Sequence, residues 1–324
     1  MSSSREQFAI GIDIGATKIA SVLLSETGEV TQSSQILTLV EEGTNAVLDR
    51  VANQILDLSG QSPGALAGVG IGSPGKVDAA RGVVYNAVNL GWEEVNLTEE
   101  IAGRIKRRLP IWIQKDANLS ALGEQYFGAG QGLRDFVYLG IGSGLGAGLI
   151  SDGRLITGSD WYAADVGHLS VDPDGPVCVC GGRGCAETIS SGPGLVRVTQ
   201  QMLANSPANT LLSNGVSLTP TDILAAARQN DGLALKALAE VGRVLGIIMS
   251  ACTVILNPSR IIVGGGLGLA GYDFIVPAAR QELVRRTTPE SRGVLDVLPS
   301  QVESPAIGAA CLVWYERLKE AVRN

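Results

Sequence analysis

A chain of 324 residues with 45% hydrophobic side chains has length for about two domains and material for a sizeable core. A net charge of −7 argues against nucleic acid, which is held by clustered Lys and Arg. No apolar run reaches the roughly 20 residues of a membrane span, and the Arg5–Glu6 pair and Asp13 in the first apolar stretch argue against a secretory signal.

In chain order, FAIGIDIG reads as a buried strand and KIASVLLSETGEVTQSSQIL as two more joined at the ETG turn. TNAVLDRVANQILDLSG has apolar spacings of three and four and reads as a helix ended by its glycine. LAGVGIGSPG is a strand entering a tight loop, LTEEIAGRIKRRL a helix opened by Asn96 or Thr98, PIWIQ a strand, and ANLSALGEQYFGAG a helix. FVYLGIGSGLGAGLISDGRL reads as a glycine-laced hairpin, residues 219–251 as helical, RIIVGGG as a strand, and PAIGAACLVWYERLKEAV as a closing amphipathic helix. Strands mixed with crossover helices indicate an α/β protein. The chain also echoes itself: Gly11, Ile12 and Gly15 correspond to Gly140, Ile141 and Gly144, as a duplicated lobe would produce.

The five cysteines are an odd number and fit a reducing cytoplasm better than a disulfide framework. Three of them, Cys178, Cys180 and Cys185, share the Gly/Pro-rich stretch GHLSVDPDGPVCVCGGRGC with His168, the only histidine. One imidazole and three thiols form a closed tetrahedral zinc set, and four protein ligands leave no open position, so the metal is architectural.

The residues from His168 to Glu187 resemble the signature of the ROK family (repressors, open reading frames and sugar kinases). DIGATK, GIGSPGKVD, AVNLGW, KDANLSALGE, GSGLGAG and IIVGGG resemble further blocks of that family in the same order. The resemblance implies a two-lobed actin-like ATPase (ribonuclease H-like) sugar kinase fold with an interlobe cleft. One lobe would take residues 1–115 with 306–324, so that the C-terminal helix returns to it. The other would take 116–305 and carry the zinc loop at 165–188. The implied reaction transfers the γ-phosphoryl of ATP, with magnesium, to a hydroxyl of a hexose or related sugar.

Residue by residue, the resemblance assigns Asp13, Gly15, Thr17, Lys18, Gly142, Ser143, Gly144, Gly264, Gly265 and Gly266 to the nucleotide. Glycine turns suit this because their backbone N–H groups can face an anion. Asp13 can hold magnesium through water. Asp116 is implied as general base; the local sequence also fits a helix cap, and one aspartate can do both. The implied sugar contacts are Gly75, Asn89, Lys115, Asp116, Asp165, His168 and Glu187. Metal-bound through one ring nitrogen, His168 would be fixed in tautomer and free to offer its other N–H to a sugar oxygen.

Two positions depart from the family pattern. Lys115 stands where an asparagine is usual, and Asp165 where a glutamate is usual. Lys115 exchanges a donor-and-acceptor amide for a donor-only cation. It can pair with Asp116 or Asp165, accept a different substrate, or point outward. A glucokinase-like kinase is the leading expectation. The alternatives are a catalytically silent sugar sensor and a kinase for another polyol or amino sugar. The acidic chain and the few residues before the first strand argue against a DNA-binding repressor. A homodimer or homotetramer with no nucleic-acid or membrane partner completes the expectation.

Overall fold

The computed structural model describes residues 6–205, 210–212 and 217–323. The chain forms two compact units: residues 1–132, 157–163 and 301–324 in the first, and 133–156 and 164–300 in the second.

In unit 1, β1 (Gln7–Ile14), β2 (Lys18–Ser25) and β3 (Val30–Leu37) are followed by α1 (Thr44–Gln61) and β4 (Ala65–Ser73). A small sheet of β5 (Lys76–Asp78), β6 (Val83–Ala87) and β7 (Trp92–Asn96) precedes α2 (Leu97–Ile105), β8 (Ile111–Lys115) and α3 (Asp116–Phe127). The main sheet runs β3-β2-β1-β4-β8, with β2 antiparallel to its neighbours and β4 and β8 parallel to β1. Alternate residues Phe8, Ile10 and Ile12 meet Val47, Val51 and Ile55 of α1 in one buried core.

In unit 2, β9 (Phe136–Ile141), β10 (Leu145–Ser151) and β11 (Arg154–Leu155) precede α4 (Gly192–Asn205), α5 (Pro220–Arg228) and α6 (Gly232–Leu256). Then come β12 (Arg260–Gly264), α7 (Gly266–Ala270), α8 (Tyr272–Arg286), α9 (Pro289–Arg292) and β13 (Asp296–Pro299). Its sheet runs β11-β10-β9-β12-β13, antiparallel on one side of β9 and parallel on the other. That is the order and direction of unit 1, so the faint echo between the two hairpins reflects a repeated topology.

The last helix, α10 (Pro305–Arg323), returns to unit 1 and packs on β1, β4 and α3. Two strand glycines admit it: a Cβ on Gly11 would lie 1.9 Å from the Ala306 carbonyl, and one on Gly70 1.8 Å from that of Ala309. Only a bare backbone lets helix and sheet approach so closely.

Several sequence expectations are corrected. Unit 1 extends to Gly132 instead of stopping at 115, because α3 packs against α10 and belongs with it. The buried Glu124 of α3 reinforces this, accepting hydrogen bonds from the amides of Ala129, Gln301 and Val302 at 2.7, 3.0 and 3.0 Å. Helix α1 runs through Gly60 and stops at Gln61, because Ser62 precedes Pro63 and is extended. Helix α2 is shorter than expected, opened by Asn96 and closed by Lys106 in the left-handed region. Helix α6, at 25 residues with a mean hydropathy of 1.7, is long and apolar enough to cross a membrane. It includes Lys236, Glu240 and Arg243, which broke the apolar run in the sequence, and it forms the core helix against α8 and α4.

Candidate active site

The candidate residues of unit 1 gather at the C-terminal ends of β1, β4 and β8. Asp13 is the penultimate residue of β1, and Gly15 to Lys18 turn the chain into β2. The Gly15 amide donates to the Lys18 carbonyl at 2.9 Å. Sequence reasoning missed Thr38, which is fully buried and pins this turn from behind. Its hydroxyl donates to the Gly15 carbonyl at 2.7 Å and its amide to the Thr17 carbonyl at 3.1 Å. Arg50 in turn donates to the Thr38 carbonyl at 3.1 Å. The carbonyls of Gly15, Thr17 and Lys18 thereby accept hydrogen bonds, and the Thr17 and Lys18 side chains stand exposed.

Burial first, and the neighbouring Asp116 second, push the Asp13 carboxyl up to about 7, against the pull of Lys18. Space for that carboxylate comes from Gly72 on β4, where a Cβ would stand 3.0 Å from Asp13 Oδ1. Asp13 and Asp116 repel one another, and the Lys18 and Lys115 charges each offset that repulsion on one of them.

Asp116 opens α3 directly after β8, and its Oδ1 accepts the Ala117 amide at 2.7 Å. The side chain is open to solvent on one side and hemmed in by protein elsewhere. Burial raises its pKa above the usual aspartate value, while the Ala117 amide and the Lys115 charge pull it down. The buried Gln114, also missed in the sequence, holds the bend: its Oε1 accepts the Lys115 amide at 2.9 Å and Asn118 Nδ2 at 3.1 Å. Asn89 is exposed on the short turn after β6. Gly75 has φ +87°, and a Cβ there would meet the Tyr85 carbonyl at 2.7 Å, so the turn itself demands glycine.

In unit 2 a cavity of about 670 Å³ is lined by Gly142, Ser143, Pro193, Arg197, Pro220 and Gly266, among others. That volume accommodates a drug-sized ligand. The β9–β10 turn and the start of α7 thus meet in one cavity. The remaining glycines do different work. A Cβ on Gly264 would strike the Tyr138 hydroxyl, one on Gly265 the Ile141 backbone, and one on Gly144 would lie 3.0 Å from Glu187 Oε2. The wall supplied by α4, with Pro193, Val196, Arg197 and Gln200, was missed in the sequence. Its signal was the spacing of three and four, hidden behind a Gly-Pro-Gly start.

The ligand atoms of His168, Cys178, Cys180 and Cys185 all lie within 4.8 Å of one another. Cys180 and Cys185 sulfurs are 3.6 Å apart, and Cys178 Sγ is 3.6 Å from His168 Nδ1. Zinc–sulfur bonds of about 2.3 Å in a tetrahedron place sulfurs about 3.8 Å apart, so the set fits a tetrahedral metal ion. The loop folds as a small hairpin with bridges between Val177 and Arg183 and between Ser170 and Cys185. Gly184 closes it at φ +68°, where a Cβ would fall 1.6 Å from the Asp172 carbonyl. Burial pushes the Cys178 thiol up to about 12 and raises Cys185, whereas the Gly182 amide lowers Cys180. His168 turns Nδ1 to the thiols and Nε2 toward Asp165 Oδ2, 4.0 Å away. Glu187 Oε1 lies 3.5 Å from His168 Nδ1 and 3.3 Å from Cys178 Sγ.

The ROK family model matches residues 9–316. The glucokinase of Thermotoga maritima is 34% identical over 310 residues, covering 94% of this chain and 96% of that protein. A xylose repressor of Caldicellulosiruptor bescii is 30% identical over 309 residues, covering 94% of this chain and 76% of the repressor. A ROK family glucokinase from Streptomyces griseus, solved with glucose and AMPPNP, superimposes with a TM-score of 0.81 at 33% identity, covering 94% of this chain and 98% of that one. Matching blocks, repeated α/β topology and this similarity across nearly the whole length agree: the chain belongs to the ROK family.

Proposed function

We propose that this protein is an ATP-dependent sugar kinase that transfers the γ-phosphoryl group to a hydroxyl of a hexose or a related sugar. The similarity to glucokinases supports the activity. The observation that carries the mechanism is Asp116, delivered by β8 to the first turn of α3 with a raised pKa. A sugar hydroxyl is a weak acid, and a positioned carboxylate accepts its proton as the oxygen attacks phosphorus. Asp116 takes that proton, with the Ala117 amide and the Gln114 bend fixing its direction.

The turn of Gly15, Thr17 and Lys18 offers donors to phosphate oxygens. The cavity walled by α4 receives the adenosine. Asp13, crowded by Asp116, is the residue to hold magnesium, which supplies charge neutralisation at the phosphates. His168, Cys178, Cys180 and Cys185 hold zinc, whose chemistry here is architectural. With zinc bound at its Nδ1, His168 would keep Nε2 for a sugar oxygen, with Glu187 and Asp165 as acceptors of sugar hydroxyls. Asn89 and Lys115 add an amide and a cation. A cytoplasmic homodimer or homotetramer fits the family habit.

The test is coupled ADP release with MgATP across hexoses, N-acetylhexosamines, polyols and uronic acids. Turnover of a hexose is the expected result. Sugar binding without any ADP release would make the protein a sensor instead. Lys115→Asn is expected to raise kcat/KM for glucose relative to the best non-glucose substrate by about tenfold, the scale of one polar contact. Unchanged ratios would mean that Lys115 does not face the sugar.

A further inference from the structure

Helix α4 stands between two candidate sites of unit 2. Along one face, Pro193, Val196, Arg197 and Gln200 line the 670 Å³ cavity. At its root, the chain bends through the turn Ala186–Thr188, which carries Glu187 and begins at the metal-set residue Cys185. The two regions are joined by hydrogen bonds between side chains and backbone and by one between backbone groups. Arg197 donates twice to the Thr188 carbonyl, from Nε at 3.2 Å and from Nη2 at 2.5 Å. The Thr188 hydroxyl donates to the Cys185 carbonyl at 2.7 Å. The Ser191 hydroxyl donates to the Glu187 carbonyl at 2.6 Å and accepts the Gly194 amide at 3.0 Å. The Gly192 amide donates to the carbonyl of Gly142, itself a cavity residue, at 2.8 Å.

Arg197 therefore lines the cavity, and its guanidinium braces the turn that presents Glu187. A planar fork makes two bonds to one carbonyl and fixes its own orientation, which a flexible lysine does not. A ligand filling the cavity would pack against the Arg197 side chain and restrict it further. The restriction passes to Thr188, and so to the carboxylate one residue earlier. The reverse also holds, because coupling between two binding sites is reciprocal.

We propose that Arg197 is a positioning residue that couples occupancy of the nucleotide cavity to the affinity for sugar. This rests on the readings above of the cavity as the adenosine site and of Glu187 as a sugar contact.

Calorimetric titration of glucose with and without saturating AMPPNP tests it, alongside the reciprocal titration. The wild-type protein is expected to bind each ligand at least about fivefold tighter in the presence of the other. Arg197→Ala is expected to bind both ligands with a coupling factor near one and to retain its metal. A purely structural role for Arg197 would weaken both affinities and leave the factor unchanged, which would overturn the proposal. So would a wild-type factor of one. If Arg197→Ala loses metal, Arg197→Lys decides: a factor between one and the wild-type value supports the coupling, and the full wild-type factor refutes it. Val196→Trp separates the two readings, since it fills the cavity without touching Thr188. If it fails to weaken AMPPNP by tenfold or more, the cavity is not the adenosine site, whatever Arg197 does.

Discussion

Asp116→Asn is expected to lower kcat by about 10² to 10⁴, equivalent to roughly 3–5 kcal/mol of transition-state stabilisation, with KM for sugar changing much less. Asparagine keeps the size of the side chain, and its amide oxygen can still accept the Ala117 N–H bond that orients Asp116. What it loses is the ability to take a proton. Folding should be preserved, so thermal stability of the variant serves as the control. The pH profile adds an independent sign. A base works ionised, so kcat/KM must fall as pH drops through its pKa. Burial raises that pKa above the ordinary aspartate value of 3.8, and Lys115 opposes the rise. Removing the cation in Lys115→Asn should therefore move the acid limb to higher pH. Turnover that survives Asp116→Asn unchanged, or an acid limb that ignores both substitutions, would remove Asp116 from the chemistry.

Much of this architecture could be read before the structure, for identifiable reasons. The strands β1, β4, β9 and β12 are short, largely apolar runs that contain glycine. The helices α1 and α6 carry a long apolar period. Elements that escaped notice are those whose signals conflict. Helix α4 begins Gly-Pro-Gly, which reads as a loop until Ser191 is seen accepting the Gly194 amide as a cap. Helix α8 contains Pro277 and shows little amphipathic contrast. Strands β5, β6 and β7 are three to five residues long, too short for alternation to register.

The site divides the same way. Asp13, Asp116 and Gly142 stand in motifs that resemble blocks of the family, and that resemblance is what marks them. The groups that hold them in place are ordinary residues made functional by tertiary contact. Thr38 is distant in sequence from the turn it pins, and Gln114 looks like any residue of a strand. The metal set was legible because a chain sparing of cysteine and histidine placed them together, although that pattern did not reveal which ring nitrogen faces the thiols.

Metal removal is expected to have the second large effect. Purified protein should contain about one zinc per chain. Stripping it with a chelator, or substituting Cys185→Ser, should raise KM for sugar by about 10- to 100-fold, the range seen when the supports of a metal centre are lost. The cause is positional. Cys185 is buried, bridges to Ser170 and directly precedes the turn that carries Glu187. With no cation between them, Cys178, Cys180 and Cys185 have little apolar area to hold them together, and backbone amides of residues 168–185 should exchange rapidly with solvent.

Acid should release the metal in the same way, because the thiolates must be deprotonated to bind it. The raised pKa values of Cys178 and Cys185 in the metal-free loop mean that protons compete well there. Loading should accordingly weaken as pH falls, and loop exchange should rise with it. The sheet of unit 1 draws its core from Ile10, Ile12 and the face of α1, so its amide protection should be unaffected by chelation. A Cys185→Ser protein that retains full zinc, or a stripped protein with an unchanged sugar KM, would show that the metal does not organise the sugar side.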